Sequence, residues 1–153
     1  MVFRKLIFLI FLGVLFGNEI IVTADNFFAD EKKLITILNG NVTIKRGKND
    51  TLFAQKAKIF LNKDKKPIKY EARENANFKV TIENKNYEGK ADFLSYDPIK
   101  KLYTMKGNAF LHEISSNKKV YAQEIIVNQK KGTYEVKSNE KKPAKIIFKV
   151  EEK

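Results

Sequence analysis

The chain has 153 residues, 43% hydrophobic and 31% charged, and its 30 Lys and Arg against 18 Asp and Glu give a formal net charge of +12. That composition suits one folded domain with a real core and excludes a disordered segment. There is no cysteine and no tryptophan, which excludes a disulfide framework, a thiol nucleophile and thiolate metal sites.

The N-terminus opens with Arg4-Lys5 and then an apolar run from Leu6 to Phe16. This run falls well short of the ~20 residues that span a bilayer and has the form of a secretory signal peptide. Residues 1–17 are expected to be that signal and residues 18–153 a single exported domain. Residues 1–17 carry two cations and no acid, so the mature charge is +12 less 2, or +10. A protein this basic outside the cytoplasm is expected to meet anionic surfaces, phosphorylated lipid ahead of nucleic acid.

After Asn18 no stretch holds a helical apolar repeat for three turns, and period-two alternation takes over. Val42 and Ile44 alternate with Thr43 and Lys45. Ile59 and Leu61 follow, then Ala76, Phe78, Val80 and Ile82 against Asn77, Lys79, Thr81 and Glu83. Ile125 and Val127, then Ile146, Phe148 and Val150, close the series. Each run gives a strand with one apolar and one polar face. Some strands also carry apolar residues on the second face, at Phe60, Leu94, Phe110 and Ile126. Turn chemistry separates the runs at residues 46–50, 62–67, 83–86, 97–98, 115–119, 130–132 and 138–143. The pattern predicts an all-β meander, sandwich or open barrel without a second domain.

A phrase recurs through these strands. Gly40-Asn41-Val42, Glu74-Asn75-Ala76 and Gly107-Asn108-Ala109 are spaced by 34 and 33, and Phe53, Tyr87 and Tyr121 by 34 and 34. Ala24-Asp25, Asp30, Lys33 and Gly40-Asn41 return 67 residues later as Ala91-Asp92, Asp97, Lys100 and Gly107-Asn108. Fixed-period self-similarity means a stack of one supersecondary unit. At about three strands per period, the chain would hold on the order of a dozen strands. The Gly-Asn pairs mark a positive φ or sharp bend, and the four aspartates read as turn formers. The continuous apolar face fits either a packed sandwich core or a long apolar groove.

Catalytic signatures are missing. His112, the sole histidine, stands between Leu111 and Glu113 on an alternating run and reads as an exposed strand residue, not a metal ligand. No phosphate loop, nucleophile elbow or Ser-His-Asp set is visible, so no enzyme, cofactor or metal site is expected. A nucleic-acid role would need aromatics and lysines interleaved on one face. Here Tyr70, Tyr87, Tyr103, Tyr121 and Tyr134 are spread along the chain and the lysines concentrate in turns, so nucleic acid is not an expected partner.

Several phrases carry a family resemblance. Residues 21–25 (IVTAD), 27–33 (FFADEKK), 39–44 (NGNVTI), 54–59 (AQKAKI), 87–92 (YEGKAD), 106–109 (KGNA) and 121–125 (YAQEI) together resemble the OstA-like family, the A component of the Lpt lipopolysaccharide-transport system. The likeness covers about residues 20–137. It implies an open, twisted β-jelly-roll whose apolar interior shelters lipopolysaccharide acyl chains. It also implies a periplasmic bridge in which protomers join head to tail, edge strand to edge strand, between an inner-membrane complex and an outer-membrane translocon. The membrane-anchored C component shares that fold and is the runner-up, beside a periplasmic lipid-binding module with no transport role. On this reading the groove is lined by Ile35, Ile37, Val42, Ile44, Ile59, Phe78, Val80, Ile82, Phe93, Met105, Leu111, Ile125, Val127, Val136, Ile146 and Phe148. Turn lysines such as Lys63, Lys65, Lys66, Lys118 and Lys119 would meet lipid phosphates. The free edges are expected at Glu19 to Thr23 and Lys145 to Val150.

Overall fold

A computed structural model describes residues 19–151; the expected signal peptide lies outside the described residues. Every regular element among them is a strand. These are β1 (Ile20–Thr23), β2 (Asn26–Asp30), β3 (Ile35–Arg46), β4 (Asp50–Leu61), β5 (Pro67–Ile82), β6 (Lys85–Asp97), β7 (Leu102–Glu113), β8 (Lys118–Asn128), β9 (Thr133–Lys137) and β10 (Lys145–Ile147). They make one unclosed sheet in the order β1, β3, β4, β5, β6, β7, β8, β10, with β2 on the other half of β3 and β9 on the other half of β8. All the pairings are antiparallel. Six long strands therefore lie between two broken edge strands. The predicted turn stretches 130–132 and 138–143 fall between strands, and the other five span strand breaks with at least one end inside a flanking strand.

The strand count differs from expectation, and the reason is strand length. β3 to β8 run 11 to 16 residues, about twice the usual ~6. One 34-residue period therefore holds two strands, not three, and the described chain has ten.

The recurring phrase is a bulge that crosses the whole sheet. On β3, β5 and β7 the pairs Gly40-Asn41, Glu74-Asn75 and Gly107-Asn108 all take left-handed φ, at 80° and 47°, 62° and 62°, and 81° and 47°. Each pair coincides with a register shift against its neighbours. The facing strands carry Ala54-Gln55, Ala91-Asp92 and Ala122-Gln123 at the same level, and Ala24-Asp25 fills the gap between β1 and β2. Asp92 Oδ2 accepts a hydrogen bond from Asn108 Nδ2 at 3.1 Å, and Asp25 Oδ2 accepts the same bond from Asn41 Nδ2 at 3.1 Å. These two aspartates therefore shape bulges. Asp30 and Asp97 do shape turns, accepting from Lys32 N and Lys33 N and from Ile99 N and Lys100 N at 2.9–3.0 Å.

The bulges add twist and bend, and the sheet curls until its inner face meets itself. Tyr87 on β6 lies within electrostatic reach of Tyr134 on β9, two strands that are not neighbours in the sheet. Arg46 and Asp50, beside the β3–β4 turn, lie within electrostatic reach of Tyr103 on β7. Two hydrophobic clusters fill the fold, one around Leu38, Val42 and Ile59 and the other around Ala76, Leu94, Met105 and Ile125.

Candidate functional site

Register places side chains in rows that cross the strands, because directly paired residues share a face. On the inner face one row reads Val22, Ile44, Leu52, Phe78, Gly89, Leu111, Val120 and Ile146, from β1 to β10. A second reads Phe27, Leu38, Ala57, Ala72, Leu94, Met105, Ile125 and Val136, from β2 to β9. Between them, at the bulges, lie Val42, Ala54, Ala76, Ala91 and Ala109, all buried. No charged side chain interrupts either row from one edge of the sheet to the other. Gly89 leaves room for a neighbour: a Cβ there would lie 2.6 Å from Phe78 Cζ, so the Phe78 ring sits over the bare backbone.

Most of the residues expected to line the interior lie on this face. Val42, Ile44, Ile59, Phe78, Met105, Leu111, Ile125, Val127, Val136 and Ile146 fall in its rows, and Val80 and Ile82 share the face of Phe78 by alternation. Three do not. Ile35 pairs with Phe60 and Ile37 with Lys58 on the outer face, while Thr36 and Leu38 point inward. Phe93 also faces out, between Arg73 and Lys106, and Leu94 beside it is buried. The cause is the bulge. Alternation continues unbroken through Gly40-Asn41 on β3, so the odd-numbered residues before it stay outside. On β6 the bulge flips the pattern between Ala91 and Leu94. Phe148 lies past the end of β10 and is 61% exposed.

Sequence reading also missed a polar collar inside the fold. Tyr70, Tyr96 and Tyr103 are paired across β5, β6 and β7. Their rings stack at centroid distances of 6.2 and 4.3 Å, both at 24°. Burial pushes the Tyr70 hydroxyl up to about 12 and the Tyr103 hydroxyl up as well. Arg46 faces this stack while its Nη2 holds Asp50 Oδ2 at 2.8 Å, and Asp50 Oδ1 accepts from Thr81 N at 3.0 Å. The only clue in the sequence was that these tyrosines sit next to turns.

The outer face is polar and basic but not bare. Arg73 lies over Phe93, Lys69 over Phe60, Lys90 over Phe110 and Lys145 over Tyr121, at 4.6 to 5.9 Å from the ring centroids. Besides the lysines concentrated in the turns, the pleat therefore interleaves cations with aromatics on this face. His112 is part-buried rather than exposed, its ring held between Glu88 Oε1 at 2.9 Å and Asn117 Oδ1 at 2.8 Å. A cavity of about 10 Å³ lies among Ala29, Leu34, Ile35, Thr36 and Leu61 near the β2–β3 turn, room for about one water.

Comparison with known proteins gives two findings. The sequence profile of the family described as LptA/(LptD N-terminal domain) LPS transport protein matches residues 21–133. Among solved structures the chain is similar to LptH of Pseudomonas aeruginosa, described as the LptA-homologous periplasmic component of the lipopolysaccharide transport device. The TM-score is 0.73 at 11% identity, over 87% of this chain and 96% of that one. No curated protein sequence matches the chain.

Proposed function

The chain belongs to the LptA/LptD N-terminal family of LPS transport proteins, and from that premise we propose that it is a periplasmic carrier whose inner face shelters lipopolysaccharide acyl chains between the inner and outer membranes. The observation that carries this reading is the apolar row from Val22 on β1 to Ile146 on β10, which runs without a charge from one open edge to the other. Each methylene removed from water contributes ~0.8 kcal/mol, so a chain of about a dozen carbons gains on the order of 10 kcal/mol. That is enough to spread a curled sheet whose walls otherwise rest on each other. No catalytic group is needed. The energy that drives movement comes from elsewhere in the machinery.

The interior residues proposed to touch lipid are Val42, Ile44, Ile59, Phe78, Val80, Ile82, Met105, Leu111, Ile125, Val127, Val136 and Ile146, joined by Leu38, Leu52, Leu94 and Val120. A photo-crosslinking side chain at Phe78 should capture lipopolysaccharide, and one at Phe93 should not. Ile82→Asp should abolish capture while Thr81→Asp leaves it intact. Equal capture from Phe78 and Phe93 would defeat the inner-face reading.

The edges extend the proposal to assembly. β1 with β2 and β9 with β10 leave unpaired backbone on both sides of the sheet, and Phe28 and Phe148 beside them are 59% and 61% exposed. Such edges accept another strand. Head-to-tail copies would align the inner rows into one path, with terminal copies meeting the inner-membrane complex and the outer-membrane translocon. Light scattering should show mass growing with concentration. A constant monomer mass at every concentration would remove the bridge and leave only a carrier.

A further inference from the structure

The two halves of the outer face differ in charge balance. On the strands towards the β4–β5 turn, Lys56, Lys69, Arg73, Lys106 and Lys137 each stand in an ion pair with a glutamate, and among the described outward strand cations of that half only Lys58 does not. Towards the β3–β4, β5–β6 and β7–β8 turns the cations are Lys45, Lys79, Lys90, Lys119 and Lys145. None of these five makes an ion pair among the described residues. The single acid on the rows they occupy, Glu88, is taken by His112 at 2.9 Å. The row through Lys45, Lys79 and Lys119 ends in an outward isoleucine at each edge of the sheet. Ile21 opposite Lys45 is 49% exposed, and Ile147 opposite Lys119 is 44% exposed.

From this asymmetry we infer that the half of the outer face bearing Lys45, Lys79 and Lys119 docks on the surface of a bilayer containing anionic phospholipid. From Lys45 on β3 to Lys145 on β10 the cations spread over seven strand positions at ~4.8 Å each, about 29 Å across. That matches smeared surface charge, not one phosphate. They are all lysines, point charges on flexible stems without the planar fork that reads bases or clamps a single anion. The adjacent rings are unsuited to stacking nucleobases, because Lys90 already lies over Phe110 at 5.9 Å and Lys145 over Tyr121 at 4.9 Å. Exposed isoleucines at both ends suit a headgroup boundary, where apolar tips enter and amphipathic cations stay at the phosphates. The inference does not rest on the lipid-carrying role of the inner face, which is the opposite side of the sheet.

The full chain is tested by co-sedimentation with vesicles of phosphatidylcholine alone and with about one-third phosphatidylglycerol. A preference for the anionic vesicles is expected, and it should vanish in 1 M salt, where screening shortens to ~3 Å. Each lysine near such a surface contributes about 1 kcal/mol, or roughly fivefold. The triple variant Lys45→Gln, Lys79→Gln, Lys119→Gln should therefore lose roughly a hundredfold of the preference. Removing the same charge from a turn at the other end, with Lys63→Gln, Lys65→Gln, Lys66→Gln, should leave it nearly whole. Equal losses in the two variants would mean net charge alone acts and would overturn the proposal. So would an undiminished preference in the first variant, or no preference in the parent. A single-stranded oligonucleotide that displaces the vesicles and is itself lost in the first variant would assign the face to nucleic acid instead. Circular dichroism of both variants checks that the sheet is intact.

Discussion

Replacing Gly107 by alanine should destabilise the fold by about 3 kcal/mol, whereas the same change at Gly132 should remove only about 1 kcal/mol. Both glycines have left-handed φ, 81° and 65°, so both substitutions force an L-residue into a disfavoured region. The surroundings differ. A Cβ at Gly107 would lie 2.4 Å from Asp92 Oδ2 and 2.9 Å from Asp92 Cβ, while Gly132 has nothing within 4 Å. The Asp92 carboxylate must therefore move, and it is the acceptor for Asn108 Nδ2. A hydrogen bond to a charged group is worth about 1.5–3 kcal/mol, part of which is recovered in water at this exposed site. At roughly 4 °C per kcal/mol for a domain of this size, thermal unfolding should drop about 12 °C for Gly107→Ala and about 4 °C for Gly132→Ala. Gly40→Ala should behave like Gly107→Ala, because its Cβ would meet Asp25 at the same 2.4 and 2.9 Å. If Gly107→Ala and Gly132→Ala fall by equal amounts, the bulge is not held by the aspartate.

That bulge also marks where the sequence was legible and where it was not. Turn chemistry and period-two alternation are local, so the strands, the turns and the all-β class could be read directly, and the family resemblance supplied the open curl. The edges were legible too, because β1 and β10 lie at the ends of both the chain and the sheet. The face of each residue was harder. On β3, β5 and β7 the left-handed pair announces itself as Gly-Asn or Glu-Asn, yet alternation passes straight through it. The flip falls on the facing strand at Ala54-Gln55, Ala91-Asp92 or Ala122-Gln123, dipeptides with no turn signature of their own. The expected lining joined odd-numbered Ile35 and Ile37 to even-numbered Val42 and Ile44 although alternation runs straight through the glycine, and it took Phe93 in place of Leu94 beyond the flip at Asp92. The tyrosine collar needs three strands in register to assemble, and the outer lysine rows need the pleat, so neither is visible in any one segment.

The sharpest test of the corrected faces uses two neighbours on β3. Leu38 is 0% exposed in the row with Ala57, Ala72 and Leu94, and Ile37 pairs outward with Phe28 and Lys58. Leu38→Asp removes a buried leucine, worth about 1.5–3 kcal/mol, and leaves a carboxylate without partner or water. An unpaired buried charge adds several kcal/mol more. The sum, about 5 kcal/mol or beyond, rivals the whole stability of a domain, ~5–15 kcal/mol. Leu38→Asp should therefore yield a chain with no cooperative thermal transition. Ile37→Asp should fold, since its carboxylate would face the Lys58 ammonium across the strand pair. That attraction of roughly 0.2–1 kcal/mol offsets part of the lost contact with Phe28, holding the net change to about 1 kcal/mol. An interior that held Ile35 and Ile37, as expected from the sequence, demands the reverse order. Equal midpoints for the two variants, or a folded Leu38→Asp beside an unfolded Ile37→Asp, would return Ile35 and Ile37 to the interior and take Leu38 out of the lipid path.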